Sequence, residues 1–222
     1  MLSIKSAISD QHEFEVLRNV NNHGVTRVAI IDTNKNVFFR PGNNESFTLI
    51  ENGLKEVSFG SQPINSKINN GYAVFQGDIF FHPKKELLVY TVIGFPYMAI
   101  FRIDPNSGFV LQTEVGEQNP GKIEGEKLVL DGKRLGIRSS ALTMDYIVCI
   151  QRDYSIDNTD ESTVGRDFSM LPKTVFLYDY DGKLKRIIDL GYPVIRIAAN
   201  PASNELYAVI LNEEFQIVKY SL

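Results

Sequence analysis

The chain has 222 residues and a mass of 25.1 kDa, room for one domain of generous size, and its apolar share of 43% is enough to build a core. Lys and Arg number 23 against 27 Asp and Glu, so the formal net charge is −4; no surplus of positive charge exists to neutralise a phosphate backbone, which excludes nucleic acid as a partner. The 14 Phe and 10 Tyr, with no Trp and with abundant Val and Ile, favour pleated over helical chain and exclude disorder as the overall state.

Met1-Leu-Ser-Ile-Lys5 leads into a polar stretch with no apolar core segment and no lipid-attachment cysteine, so no export signal is read there. His12-Glu-Phe-Glu-Val-Leu-Arg18, with Phe14 and Val16 alternating, fits a β-strand that closes a sheet from the other end of the chain. It also fits the inner strand of a first unit, and a short helix capped at Ser9 is a third option.

Beyond this segment the chain repeats. A hairpin turn recurs, followed by Gly and then Pro: Gly53 leads to Gly60-Ser-Gln-Pro63, Gly108 to Gly116-Glu-Gln-Asn-Pro120, and Gly182 to Gly191-Tyr-Pro193. A strand, a Pro-marked turn and a second strand recur in Asp78–Tyr90 around His82-Pro83, and in Ile195–Val209 around Asn200-Pro201. An outer hairpin recurs in Tyr97–Val115 and Thr174–Leu190, where Asn-Ser-Gly108 and Asp181-Gly182 supply the positive φ of a tight turn.

These signatures predict units of four short antiparallel strands over about residues 25–60, 71–116, 127–191 and 193–222, the strand count of a β-propeller blade. The expected fold is all-β, a single propeller-like domain of about four blades over residues 1–222. Glu214–Tyr220 takes the third-strand place of the last unit and no fourth strand follows, so closure by residues 1–24 or edge-to-edge self-association is expected. The third unit is lengthened by Asp153–Pro172, a polar, acidic stretch that reads as a long surface loop. The longest apolar run, Thr91 to Phe101, is broken by Gly94 and Pro96 and is too short to span a membrane.

Asp145–Ile150, a polar insertion, Val175-Phe-Leu-Tyr-Asp-Tyr-Asp-Gly-Lys183, Ile195–Asn200, Glu205–Val209 and the ending Ile217–Leu222 together resemble the TolB-like six-bladed propeller proteins of Bacteroidetes. The resemblance covers about Tyr72 to Leu222 and rests on blade-turn residues. It implies a partial or shortened six-bladed propeller, an extracytoplasmic setting at the periplasm or cell surface, and no assigned activity. The chain departs from that pattern in lacking a leader, a lipid-attachment cysteine and about two blades.

Chemistry-bearing residues are sparse. Cys149 lies in the apolar run Tyr146–Ile150 and reads as a small buried hydrophobe. Gly116-Glu-Gln-Asn-Pro-Gly-Lys122 has the spacing of a phosphate loop, but Ile123 stands where Ser or Thr must reach magnesium, so it reads as a connector between blades. Asp179-Tyr-Asp-Gly182 starts like a calcium loop and lacks the closing Glu, Ile188 being there instead; it reads as a hairpin turn. Of the histidines, His12 and His23 have no partner spacing, and His82 before Pro83 is expected to cap its turn. Asn44-Glu-Ser46 is a formal glycosylation sequon.

Asp153, Asp157, Asp160, Glu161 and Asp167 are calcium candidates, because one loop can wrap several hard oxygens around an ion; solvated surface charge is the plainer reading. Phe95 and Tyr97, between two strands of the second unit, and Arg152 and Tyr154, opening the long loop, are candidates for an interaction face, against rim and inter-blade packing. The leading function is a non-enzymatic scaffold that presents loops to a protein, peptide or glycan, with no organic cofactor. The alternative is a calcium-assisted hydrolase of lactonase or esterase type, with Asp78, Asp145 and Asn200 at inner-strand ends as its channel ligands.

Overall fold

A computed structural model of the chain describes residues 24–64, 67–105, 108–117, 120–131, 136–157 and 167–222. Strand makes up 55% and helix 4%, so the fold is all-β. The first sheet runs β1 (Arg27–Ile30), β2 (Lys35–Phe39), β3 (Glu45–Glu51) and β4 (Lys55–Ser61), paired antiparallel in chain order. A single helical turn, α1 (Gly71–Val74), precedes the second sheet, β5 (Gly77–His82), β6 (Leu87–Val92), β7 (Tyr97–Asp104) and β8 (Gly108–Gly116).

The third sheet comprises β11 (Ser139–Leu142), β12 (Ile147–Ile150), β13 (Thr174–Tyr178) and β14 (Leu184–Asp189). The fourth has three strands, β15 (Val194–Ala199), β16 (Glu205–Asn212) and β17 (Glu214–Ser221). The first strands stand side by side, β1 by β5, β5 by β11 and β11 by β15, so the sheets radiate from a common axis as propeller blades do. Among the described residues no helix is long and apolar enough to cross a membrane.

One feature differs from the sequence reading. The third unit was expected from Lys127, but Lys127–Leu130 is β10 of a separate hairpin with β9 (Gly121–Glu124), and the blade starts at Ser139. Leu128 and Leu130 alternate as an inner strand does, whereas Ser139-Ser-Ala-Leu142 is small and polar; the hairpin is held instead by Asn70, whose Nδ2 donates to the Leu128 carbonyl at 2.9 Å and whose Oδ1 accepts the Leu128 N–H at 3.0 Å. The segment His12–Arg18, and His23 with it, lies outside the described residues.

The blades stack through apolar side chains that alternate along each middle strand. On β6, Leu88, Tyr90 and Val92 face the first blade, while Leu87 and Val89 face the third. On β12, Ile147 and Cys149 face the second blade, and Val148 and Ile150 face the fourth. Phe47 centres the first interface: its ring lies 5.2 Å from Phe39 and 5.3 Å from each of Phe59, Tyr90 and Phe101. Gly60, at φ +72°, sits against the Phe47 ring, where a Cβ would overlap it. Burial pushes the Cys149 thiol far up, which makes it an inert hydrophobe.

The turns behave as their residues dictate. Gly53, Gly108 and Gly182 all adopt positive φ at the outer hairpins. Asp179 accepts the N–H groups of Asp181 and Lys183 at 3.0 and 2.8 Å and pairs with Lys185, so it closes a hairpin. His82 caps its turn, its Nδ1 accepting the Lys85 N–H at 3.2 Å, and its ring is packed edge-on to Tyr180.

Two predictions follow from the packing. Phe47→Ala should cost about 3–5 kcal/mol in urea unfolding, and Leu54→Ala, 90% exposed at the β3–β4 turn, about 0.5 kcal/mol or less. For His82, burial and then the Lys85 charge hold the imidazole below its ordinary value of 6.5, and a protonated Nδ1 loses its bond from Lys85. Between the two pKa values the unfolded chain binds more protons than the folded one. Stability is therefore full above the ordinary value and declines as the pH falls below it, a slope that His82→Gln should remove from a melting-temperature profile between roughly pH 7 and 5.

Candidate functional site

The two ends of the blade array carry different chemistry. One end holds the starts of the inner strands and the connections from second to third strands. Ser139, first in β11, pairs with Ile150, last in β12, and Arg138 N–H donates to the Ile150 carbonyl at 3.0 Å. Thr91, opposite Asp78 of β5, holds its hydroxyl 3.0 Å from that of Ser140. Val194 N–H, at the start of β15, donates to the Pro172 carbonyl at 2.9 Å, just before β13. Arg27, at the start of β1, pairs with Asp78 at 3.0 Å. Arg27, Asp78, Arg138, Arg152 and Arg196 therefore share this end.

The sequence candidates separate here. Phe95 and Tyr97 are 1% and 5% exposed and belong to the core between the first two blades, so they form no interaction face. Phe95 turns inward against Phe75, and the Tyr97 hydroxyl donates to Glu114 at 2.8 Å. Arg152 is buried too, at 5% exposure, while Tyr154 is 54% exposed. Tyr72, Phe168, Tyr192 and Phe215 add exposed aromatic surface on segments that reach this end, and Phe168 and Phe215 meet edge to face at 5.6 Å.

The carboxylates of the long loop act as loop ties. Asp157 is buried and accepts the Asp153 N–H at 2.9 Å, the Lys173 N–H at 3.0 Å and the Thr174 hydroxyl at 3.3 Å, which pins both ends of the connection to the blade. Asp153 accepts from the Ser155 N–H and hydroxyl at 2.9 and 2.5 Å, and Asp167 from those of Ser169 at 2.9 and 2.6 Å. Hydrogen bonds from Ser169 hold the Asp167 carboxyl below its usual range. Asp160 and Glu161 lie outside the described residues. Among the described residues no three His, Cys, Asp or Glu side chains converge on a metal position.

The channel ligands proposed for a hydrolase do not come together. Asp78 is at the inner-strand-start end. Asp145 and Asn200 sit in the β11–β12 and β15–β16 turns, at the opposite end. Asp145 is tied to Asn204, accepting its Nδ2 at 2.7 Å, and Asn200 caps the Ala202 N–H at 2.9 Å. One ion cannot bridge residues at both ends of a blade. The opposite end also carries a cleft of about 90 Å³ between the outer turns of the first two blades, bordered by Lys35, Glu51 and Lys55. It is smaller than the few hundred Å³ that an organic ligand fills.

Radial blades around an axis of inner strands define a β-propeller-type protein, and comparison with solved structures agrees. The β-propeller domain of Cps50 (Swd1) from Myceliophteria thermophila superposes with a TM-score of 0.51 and 11% identity, over 86% of this chain and 48% of that one. The Mitotic Checkpoint Complex gives 0.48 and 9%, over 89% and 49%, and a protein from Lactobacillus plantarum 0.46 and 11%, over 89% and 55%. The chain spans about half the length of these structures, and at such identity the likeness is one of fold alone. No family model and no curated protein matches the chain.

The arginines were beyond sequence reasoning except for Arg152, since they are scattered over three strands. Aligning the blade repeats could have found them, because Arg27, Arg138 and Arg196 all fall within two residues of an inner-strand start. Asp157→Ala leaves two main-chain N–H groups and a hydroxyl without their acceptor. It should cost about 2–4 kcal/mol in chemical denaturation, and calcium should not restore the loss.

Proposed function

We propose that the protein is a non-enzymatic binding propeller whose inner-strand-start end docks a peptide or protein segment. The observation that carries this reading is the company kept there: exposed Tyr154, Phe168 and Phe215 stand on the same end as four arginines, held by blades whose cores fix their position. Aromatic and Arg side chains are those that dominate binding energy where surfaces meet. Rigid sheets with variable connections at one end favour such a role, and the similarity to a propeller domain fits it. The resemblance to TolB-like propeller proteins, and the extracytoplasmic setting it implies, belong to this proposal.

The hydrolase alternative draws no support from the placement of Asp78, Asp145 and Asn200 at opposite ends. Panning a displayed peptide library on the full chain tests the reading. Peptides selected by the wild type should bind Leu54→Ala, altered at the far end, equally well. They should bind the double variant Tyr154→Ala, Phe168→Ala at least about tenfold more weakly, the loss expected if even one of the two aromatics is an anchor. Equal binding by all three proteins, or calcium-dependent turnover of simple esters or lactones, overturns it.

A further inference from the structure

We propose that Arg138, Arg152 and Arg196, at the inner-strand-start end of the third and fourth blades, form a binding site for a phosphate-class oxyanion, free or carried as an ester. The inference deepens the reading of this end as a binding face by naming the chemistry it takes.

The three side chains come together by topology. Arg138 immediately precedes β11, and Arg152 follows the end of β12, the strand paired with it. Arg196 is the third residue of β15, which packs beside β11 and also meets β12. Their charges act on one another: burial first, then the neighbouring positive charges of Arg196 and Arg152, hold the Arg138 guanidinium below its usual value.

Arg152 is the anomaly. Its side chain is buried, its Nη2 reaches the Met170 carbonyl at a long 3.4 Å, and its Nε and Nη1 are buried without a hydrogen-bond partner. An uncompensated buried cation is among the most unfavourable arrangements in a folded protein, and guanidinium groups in such places are normally met by an anion. No carboxylate of the described residues forms an ion pair with any of the three. Asp153 and Asp157, next in the chain, point their oxygens at main-chain and hydroxyl donors, and Asp78 is engaged by Arg27.

The geometry selects among anions. A carboxylate has two oxygens in one plane and a single negative charge, which one bidentate guanidinium satisfies. Three guanidinium groups, one before β11, one after β12 and one on β15, bring three positive charges and more donors than one carboxylate can accept. A tetrahedral dianion offers oxygens in several directions and close to two negative charges, as phosphate and its monoesters do near neutral pH.

Calorimetric titration and thermal unfolding of the full chain test this, with inorganic phosphate and phenyl phosphate against acetate and chloride at matched ionic strength. The two phosphates should bind saturably and raise the melting temperature; acetate and chloride should not. Arg196→Ala, at an exposed position, should weaken phosphate binding by about tenfold or more, as expected when one charge-assisted contact is lost. Arg152→Met should melt no lower than wild type in chloride, because it removes an unpaired buried charge, and should no longer respond to phosphate. If Arg152→Met does not fold, Arg196→Ala decides. Tighter binding of phenyl phosphate assigns the site to esters, and tighter binding of the inorganic ion to free phosphate.

No saturable binding, equal binding of acetate, or unchanged affinity in Arg196→Ala overturns the anion site. If phosphate fails while the Tyr154→Ala, Phe168→Ala protein still loses its peptides, the site falls and the binding face stands.

Discussion

A four-stranded sheet of this size has two faces to bury and no means of burying both itself. That constraint organises the molecule. The middle blades meet it by stacking, with β6 and β12 buried at every position because odd residues serve one neighbour and even residues the other. Each interface has its own character: aromatic between the first two blades, mixed with Met98, Cys149 and Phe176 between the next two, and aliphatic between the last two. Among the described residues the terminal blades pack on one side only, and β1 and β17 expose Val28, Ile30, Phe215 and Ile217.

Stacking in turn decides where polar chemistry can sit. Inside the interfaces a charge has no room, so ionisable groups collect at strand ends, and the two ends have been put to different use. At the outer-turn end, carboxylates and amides close loops: Asp145 with Asn204 across two blades, Asp179 around a hairpin, and Lys35 with Glu51. At the inner-strand-start end stand Arg27, Arg138, Arg152 and Arg196, and of these Arg27 pairs with a carboxylate, Asp78.

Much of the architecture was legible in the sequence. Gly53, Gly108 and Gly182 marked the outer hairpins, and the recurring Gly-to-Pro elements after them marked the units. The misreadings came from surfaces that pattern does not distinguish. Phe95 lies in a short turn, where an aromatic reads as rim, yet the turn folds over Gly136 and carries the ring into the core. Lys127–Leu130 has the apolar period of an inner strand, while the true one, Ser139–Leu142, has almost none because it lies between β5 and β15 with little space for large side chains. Acidic residues in a polar loop read as solvated charge or as metal ligands, and only distances show the use found here: Asp157 binds main-chain donors.

The tie and the arginine belong to one device. Asp157 fastens the start of the β12–β13 connection at Asp153 and its end at Lys173 and Thr174, so the chain leaving Arg152 returns to the blade at a fixed place. Met170, whose carbonyl receives Arg152, sits on that return, inside a turn that Asp167 caps. The guanidinium is thereby held between a blade and its own loop, at the end where Val194, first in β15, bonds to Pro172. A flexible Arg on an open loop could swing to water and relieve its unpaired charge; this one is only 5% exposed. The energy that keeps it there comes from the interfaces between blades, and the unmet donors are the strain that an oxyanion at this end relieves.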